Sequence, residues 1–355
     1  MDLLEKLCKT AATPGREHRL RELILEETDG LFDETEVDAL GSLTGIRRPH
    51  PADGGDAPEK PTRVMIAAHM DQIGFMVSHV DEKSGFIRVQ NVGGFDTRNL
   101  FARLATICPD VNDPSQDIPA VMNPGGKPIH IASDEDRKKI PEISDLVLDT
   151  GLDGETVAEK VKVGDMVVLD APFAEVGNTV VSQCLDNRIA CWIAIRTMQQ
   201  LADTGHDCEV HCVFTVQEEV GLRGAGTAAY KIKPDIGIAV DTTLCVDTPG
   251  VPDQQQVTQQ GKGAALTVMD SSAIADLGVF ETFEAIAKDR DIPHQRSILS
   301  RGGTDAGTMQ RAGAGARTFT LSCPTRYIHT VTEMVHRDDL NACRDLLAAY
   351  LAELD

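Results

Sequence analysis

Two histidines and five carboxylates stand where a folded sheet could bring them together. Three short apolar runs, VMIAA (64–68), VHCVFTV (210–216) and IGIAV (236–240), each lead into ionisable residues. The first meets His69-Met70-Asp71, the second Gln217-Glu218-Glu219, the third Asp241. Continuous apolar runs of this length are the pattern of strands buried on both faces. In open α/β sheets, ligands bind beyond the carboxyl ends of such strands. Asp186, opening a helix that carries Ile189, Trp192 and Ile193, and His329, in the loop TRYIHTVTE, are two further candidates. Imidazole and carboxylate without thiolate suit a divalent ion such as Zn²⁺, Co²⁺ or Mn²⁺. The set is large enough for two ions about 3.5–4 Å apart sharing a carboxylate, with a further carboxylate free to move a proton. Taken singly, each residue has an ordinary role: a strand-end His caps, Asp186 could be a helix N-cap, and Glu218-Glu219 could be a solvated loop. Their joint occurrence is what suggests a metal site.

The elements that must position these residues follow from periodicity. The first fifty residues look helical, with Leu3, Leu4 and Leu7 on one patch, Leu20, Leu23 and Ile24 on another, and a break at Thr13-Pro14-Gly15. Residues 47–61 are polar and rich in Pro and Gly, the composition of an exposed loop. From about 75 to 170, short β-like runs alternate with turn sequences, and one charged segment near 133–146 has helical character. That texture predicts a small β-barrel or sandwich. Helix–strand alternation returns after about 175, with a helix near 279–289 and a last one placing Leu340, Cys343, Leu347 and Leu354 on one side. The fold class is therefore α/β, with residues 1–74 plus 171–355 forming one domain and 75–170 a β-rich insertion.

Composition narrows the function. The 355 residues carry 56 Asp and Glu against 34 Lys and Arg, a formal net charge of −22. Nucleic-acid binding needs clustered cations, so it is excluded as a reading. No apolar stretch reaches membrane-span length and MDLLEKLCKT is not a signal peptide, so a cytoplasmic protein without a membrane partner is expected. Lys occurs 13 times and Arg 21 times, and so acidic a surface suggests adaptation to high salt. The nine cysteines contain no C-x-x-C pair and are expected to be reduced and structural. There is no G-x-G-x-x-G, P-loop or G-x-S-x-G motif. With 4% aromatic residues and one Trp, a glycosidase using Glu218 has little to stack on sugars.

Six segments, AAHMDQIGF (67–75), CLDNRIACW (184–192), TVQEEVGLRGAG (215–226), AVDTT (239–243), RGGTDAG (301–307) and RYIHT (326–330), together resemble the tetrahedral (TET) aminopeptidases, a family of dinuclear metallopeptidases. The resemblance runs over essentially the whole chain. It implies a phosphorylase/hydrolase-like zinc exopeptidase domain, a mixed central sheet flanked by helices, with an inserted barrel-like dimerisation domain. It implies a metal-dependent aminopeptidase acting on short peptides, with two divalent ions per subunit, Zn²⁺ or Co²⁺, inside a homo-oligomer of dimers assembled as a tetrahedral dodecamer. A carboxypeptidase or N-deacylase on the same scaffold is the alternative. By the same resemblance, His69, Asp186, Glu219, Asp241 and His329 would be metal ligands, with Asp186 bridging. Glu218 would be the general base and Asp71 would orient His69. Gly302, Gly303 and Thr304 would line the substrate cleft. Gln72 and Asn187 stand where relatives often carry Glu and Asp, and neither is expected to touch a ligand.

Overall fold

Four parallel strands, Glu209–Thr215, Arg63–His69, Ile236–Leu244 and Arg317–Arg326, lie side by side at the centre of an eleven-stranded mixed sheet. The computed structural model describes residues 1–52 and 54–354; Asp53 of the 47–61 loop lies outside them. The strands are buried on both faces, which is why they read as unbroken apolar runs rather than as alternation. Register aligns Thr215 with His69 and Ala239 with Ala67. The carboxyl ends of three neighbouring strands therefore reach one rim at nearly one level. Asp241 lies within its strand, which continues three residues beyond it to Leu244.

Helices Asp2–Lys9, His18–Glu27, Leu185–Thr204, Leu277–Asp289 and Arg337–Glu353 supply one face of the core, with Trp192, Phe283 and Tyr350 among its larger side chains. The opposite face is covered by the short-residue surface of Arg223–Ile232 and by Ala306–Met309. Gly224 is required there. A Cβ on it would lie 2.7 Å from both the N and O of Val216, so only glycine lets this helix begin against the strand end. All nine cysteines are free and buried.

Between residues 74 and 170 six strands close into a barrel, Gly74–Val80, Ile87–Val92, Leu146–Asp149, Ile118–Pro124, Arg103–Cys108 and Met166–Asp170 in that spatial order. Alternate residues such as Phe75, Val77, Ile87, Val89, Ala120, Met122, Leu146 and Leu148 fill its interior.

Three local expectations fail for physical reasons. The first fifty residues hold two helices, but then a hairpin, Glu34–Val37 paired with Leu43–Arg47, whose second strand joins the central sheet. The charged segment 133–146 forms only short 3₁₀ turns at Asp136–Lys138 and Ile143–Asp145, because it has charge but no apolar stripe to dock. The barrel's one α-helix is instead Gly154–Lys160, capped by Asp153. Leu354 lies just past the last helix and is only partly buried.

Candidate metal centre

His69 ends its strand with the ring turned into the sheet rim. Its Nδ1 lies 3.0 Å from the Asp71 backbone carbonyl, which fixes Nδ1 as the N–H donor and turns Nε2 toward the cleft. Nε2 is 3.3 Å from Asp186 Oδ1, 3.8 Å from Glu218 Oε2 and 3.9 Å from Asp241 Oδ1. A nitrogen lone pair facing three carboxylates requires a positive charge between them, a proton or a cation. Burial alone would lower the pKa of His69, but the surrounding carboxylates, Glu218 and Asp186 foremost, hold it well above the ordinary value.

The five expected ligands converge on a common centre. Asp186 faces both imidazoles: its second oxygen is 3.5 Å from His329 Nε2, which in turn lies 3.4 Å from Glu219 Oε2. Donor atoms of His69, Asp186 and Glu219 fall within 4.8 Å of one another, as do those of His69, Glu218 and Asp241. Burial would raise the Asp186 carboxyl, yet His329 and His69 hold it below its usual range. The His329 imidazole is pushed up to about 11, since Asp186 and Glu219 outweigh the lowering effect of burial. Burial pushes Glu218, Glu219 and Asp241 upward. Glu219 Oε1 is buried with no partner among the described residues. Oxygen and imidazole donors, surplus buried acid and an orphaned carboxylate oxygen together fit divalent cations.

Local backbone explains how neighbours diverge. After Val216, Gln217 adopts φ 57°, a left-handed turn that redirects the chain ahead of Glu218 and Glu219. The Asp71 carboxylate accepts both of their N–H groups, at 3.0 and 3.1 Å, and so holds that turn. Asp71 therefore meets His69 mainly through its own carbonyl, its Oδ1 standing 3.7 Å from Nδ1. Asp186 and Asn187 depart from helical backbone, and the side-chain cap of the helix comes from Asn187 Oδ1 accepting from Ala190 N. The Asp186 carboxylate is thereby spared capping duty. Asn187 Nδ2 also donates to Asp241 Oδ1 at 3.1 Å, so the expectation that it touches no ligand is incorrect. Gln72 accepts from Arg188 and does not meet a ligand.

Gly302, Gly303 and Thr304 line a cleft of about 530 Å³ that opens onto His69, Asp186, Glu218 and His329. The Thr304 hydroxyl is occupied, donating to Asp270 at 2.9 Å, so the loop presents backbone to the cleft. The next residue, Asp305, is buried, accepts from Thr215 Oγ1 at 2.6 Å and is raised to about 6 by burial. It ties the cleft loop to the strand that leads to Glu218.

Two other supports carry no sequence pattern. Arg188 is fully buried and donates to the carbonyls of Leu7, Met70 and Thr10 and to Gln72, anchoring the first helix beneath the centre. Glu17 Oε1 accepts from Gly15 N at 2.8 Å and Gln217 N at 3.1 Å. Burial, with the Asp71 charge added, pushes its carboxyl from 4.5 up to about 7. A raised folded-state value means that the native chain binds this proton more tightly. The resulting stabilisation is complete below about 4.5 and is lost as pH rises through about 7. Glu17→Gln keeps the accepting oxygen and removes the titration. From pH 5 to 8 the parent should lose roughly 1–3 kcal/mol relative to this variant. Parallel melting curves across that range would contradict the assignment.

The whole chain has known counterparts. Residues 53–346 match the M42 glutamyl aminopeptidase family. A putative aminopeptidase of Acetivibrio thermocellus is 36% identical over 347 residues, 98% of this chain and 96% of that one. A TET aminopeptidase from a marine-sediment Thaumarchaeota archaeon has a TM-score of 0.91 at 30% identity, covering 100% of this chain and 96% of its own. The TET1 peptidase of Pyrococcus horikoshii, which can assemble into a tetrahedron or a large octahedral shell, has a TM-score of 0.86 at 29% identity, with 99% of each chain covered. The chain belongs to the M42 glutamyl aminopeptidase family.

Proposed function

We propose that this protein is a metal-dependent aminopeptidase that removes N-terminal residues from short peptides with two divalent ions. The observation that carries the reading is Asp186, one carboxylate facing both imidazoles, with Glu218 beside it. His69, Asp186 and Asp241 would hold one ion, and His329, Asp186 and Glu219 the other, with Zn²⁺ or Co²⁺ suited to the donors. When bound, such ions supply Lewis acidity toward water and the scissile carbonyl. Glu218 accepts the proton of the attacking water at its carboxylate and returns it to the departing amine nitrogen. Its buried position, which favours the protonated form, suits that second transfer. Asp71 keeps Glu218 and Glu219 on their separate paths through their N–H groups. Gly302, Gly303 and the Thr304 backbone flank the substrate, whose free α-amine meets the acidic centre.

Arg301 is the one Lys or Arg lining the cleft among the described residues, which favours an acidic side chain on the residue removed. Peptides beginning with Glu, Leu or Lys, each free or N-acetylated, test the reading directly. The expected result is cleavage of free N-termini only, fastest for Glu, abolished by EDTA and restored by metal. Release of acetate, cleavage from the carboxyl end, or indifference to EDTA would overturn it.

The barrel is the proposed dimerisation unit, and the dimers are proposed to build a tetrahedral dodecamer, as supported by the assemblies of the Pyrococcus horikoshii TET1 peptidase. A cytoplasmic, high-salt setting accords with the net charge of −22. Size-exclusion chromatography from low to molar salt tests the assembly and the salt requirement together.

A further inference from the structure

Opposite Asp71, on the other side of the centre, lies a second buried carboxylate with the same kind of bonding. Glu333 begins the strand Glu333–His336 and is 2% exposed. Its Oε1 accepts from His329 N at 2.7 Å and its Oε2 from Asp186 N at 2.9 Å. The two donors belong to chain segments far apart in sequence, and both adjoin unusual backbone. His329 and Tyr327 have φ 63° and 61°, Cys184 has φ 52°, and the Asp186 backbone is not helical. For side chains with a Cβ, such left-handed conformations persist only where surrounding contacts hold them. Glu333 also pairs in register with Ser182, just ahead of the segment that delivers Asp186.

From this geometry we infer that Glu333 is a positioning residue of the metal centre: its two oxygens fix the backbones of Asp186 and His329 so that their side chains meet at cation-binding distance. Asp71 does the same for Glu218 and Glu219, so four backbones around the centre are held by two carboxylates, each spanning two N–H groups. The two backbone N–H bonds offset part of the cost of burying this carboxyl group. A hydrophobic residue of similar size would leave both N–H groups orphaned in the interior. Neither the charge of Glu333 nor its spacing marks it in the sequence. Its role follows only from its partners.

The inference rests on the two-cation reading, and the test separates the two. Parent, Glu333→Gln and Val335→Ala chains are stripped of metal, and Zn²⁺ affinity is measured by competition with a chromophoric chelator, alongside melting temperature and the visible spectrum of the Co²⁺-loaded protein. Glu333→Gln retains shape and one accepting oxygen but turns an N–H₂ toward a backbone N–H. The expected result is about 10–100-fold weaker binding of at least one ion and an altered Co²⁺ spectrum, as for other partners that orient ligands. Val335 is buried in the same strand without touching a ligand backbone, so Val335→Ala should lower melting while leaving metal affinity at the parent's level. Parent-like affinity and spectrum in Glu333→Gln would overturn the inference alone, as would an equal loss in Val335→Ala. Fewer than two ions on the parent chain would overturn the two-cation reading together with it.

Discussion

Glu218→Gln should retain two bound ions and lose turnover, with kcat falling by about 10³-fold, the usual scale for removing a positioned acid–base group. The carboxylate lies 3.8 Å from His69 Nε2, next to the centre. The amide has the same shape and cannot take up a proton. The turn that presents it is held by Asp71 through main-chain N–H groups, which the substitution leaves untouched. Metal content by mass spectrometry and kcat on the same preparation check both halves of the result. Lost metal would make Glu218 a ligand; retained kcat would remove it from proton transfer.

Asp186→Ala should be more severe, because both halves of the centre share this side chain. One oxygen faces His69 and the other His329, and no other carboxylate among the described residues is placed to approach both imidazoles this closely. Without it the imidazoles face the remaining acids with no shared anchor, and neither ion keeps a full set of donors. Metal content should fall close to zero and kcat/KM to background. The fold should survive, since the helix cap comes from Asn187 rather than Asp186. Circular dichroism and metal analysis on one sample decide it: a chain that still binds two ions would show that Asp186 does not bridge.

How far the site could be read in advance depended on the kind of contact each residue makes. His69, Glu218, Glu219 and Asp241 were legible because parallel strands buried on both faces leave continuous apolar runs, and the residue where a run stops is visible in one dimension. Asp186 and His329 had weaker local signals and gained force from resemblance, since an unwound helix start and a left-handed loop residue leave little periodic trace. Glu17, Arg188 and Glu333 were not legible. Each acts on backbone groups distant in sequence, and a main-chain N–H or carbonyl is the same whatever residue bears it. The barrel could be inferred from turn chemistry, but its closure could not. The segment 133–146 misled because its charged residues suit a helix surface while lacking an apolar stripe. The hairpin at 34–47 was hidden by brevity: its exposed first strand, ETEV, has no buried face to impose a pattern.

The central claim is a two-ion centre that drives removal of an N-terminal residue. Its most direct test is a titration of metal-free protein with Zn²⁺ or Co²⁺, following bound metal by calorimetry and release from an N-terminal glutamyl substrate in parallel. Activity should be absent at the start and saturate at two ions per chain. Full activity at one ion, or activity that does not depend on added metal, would contradict the account.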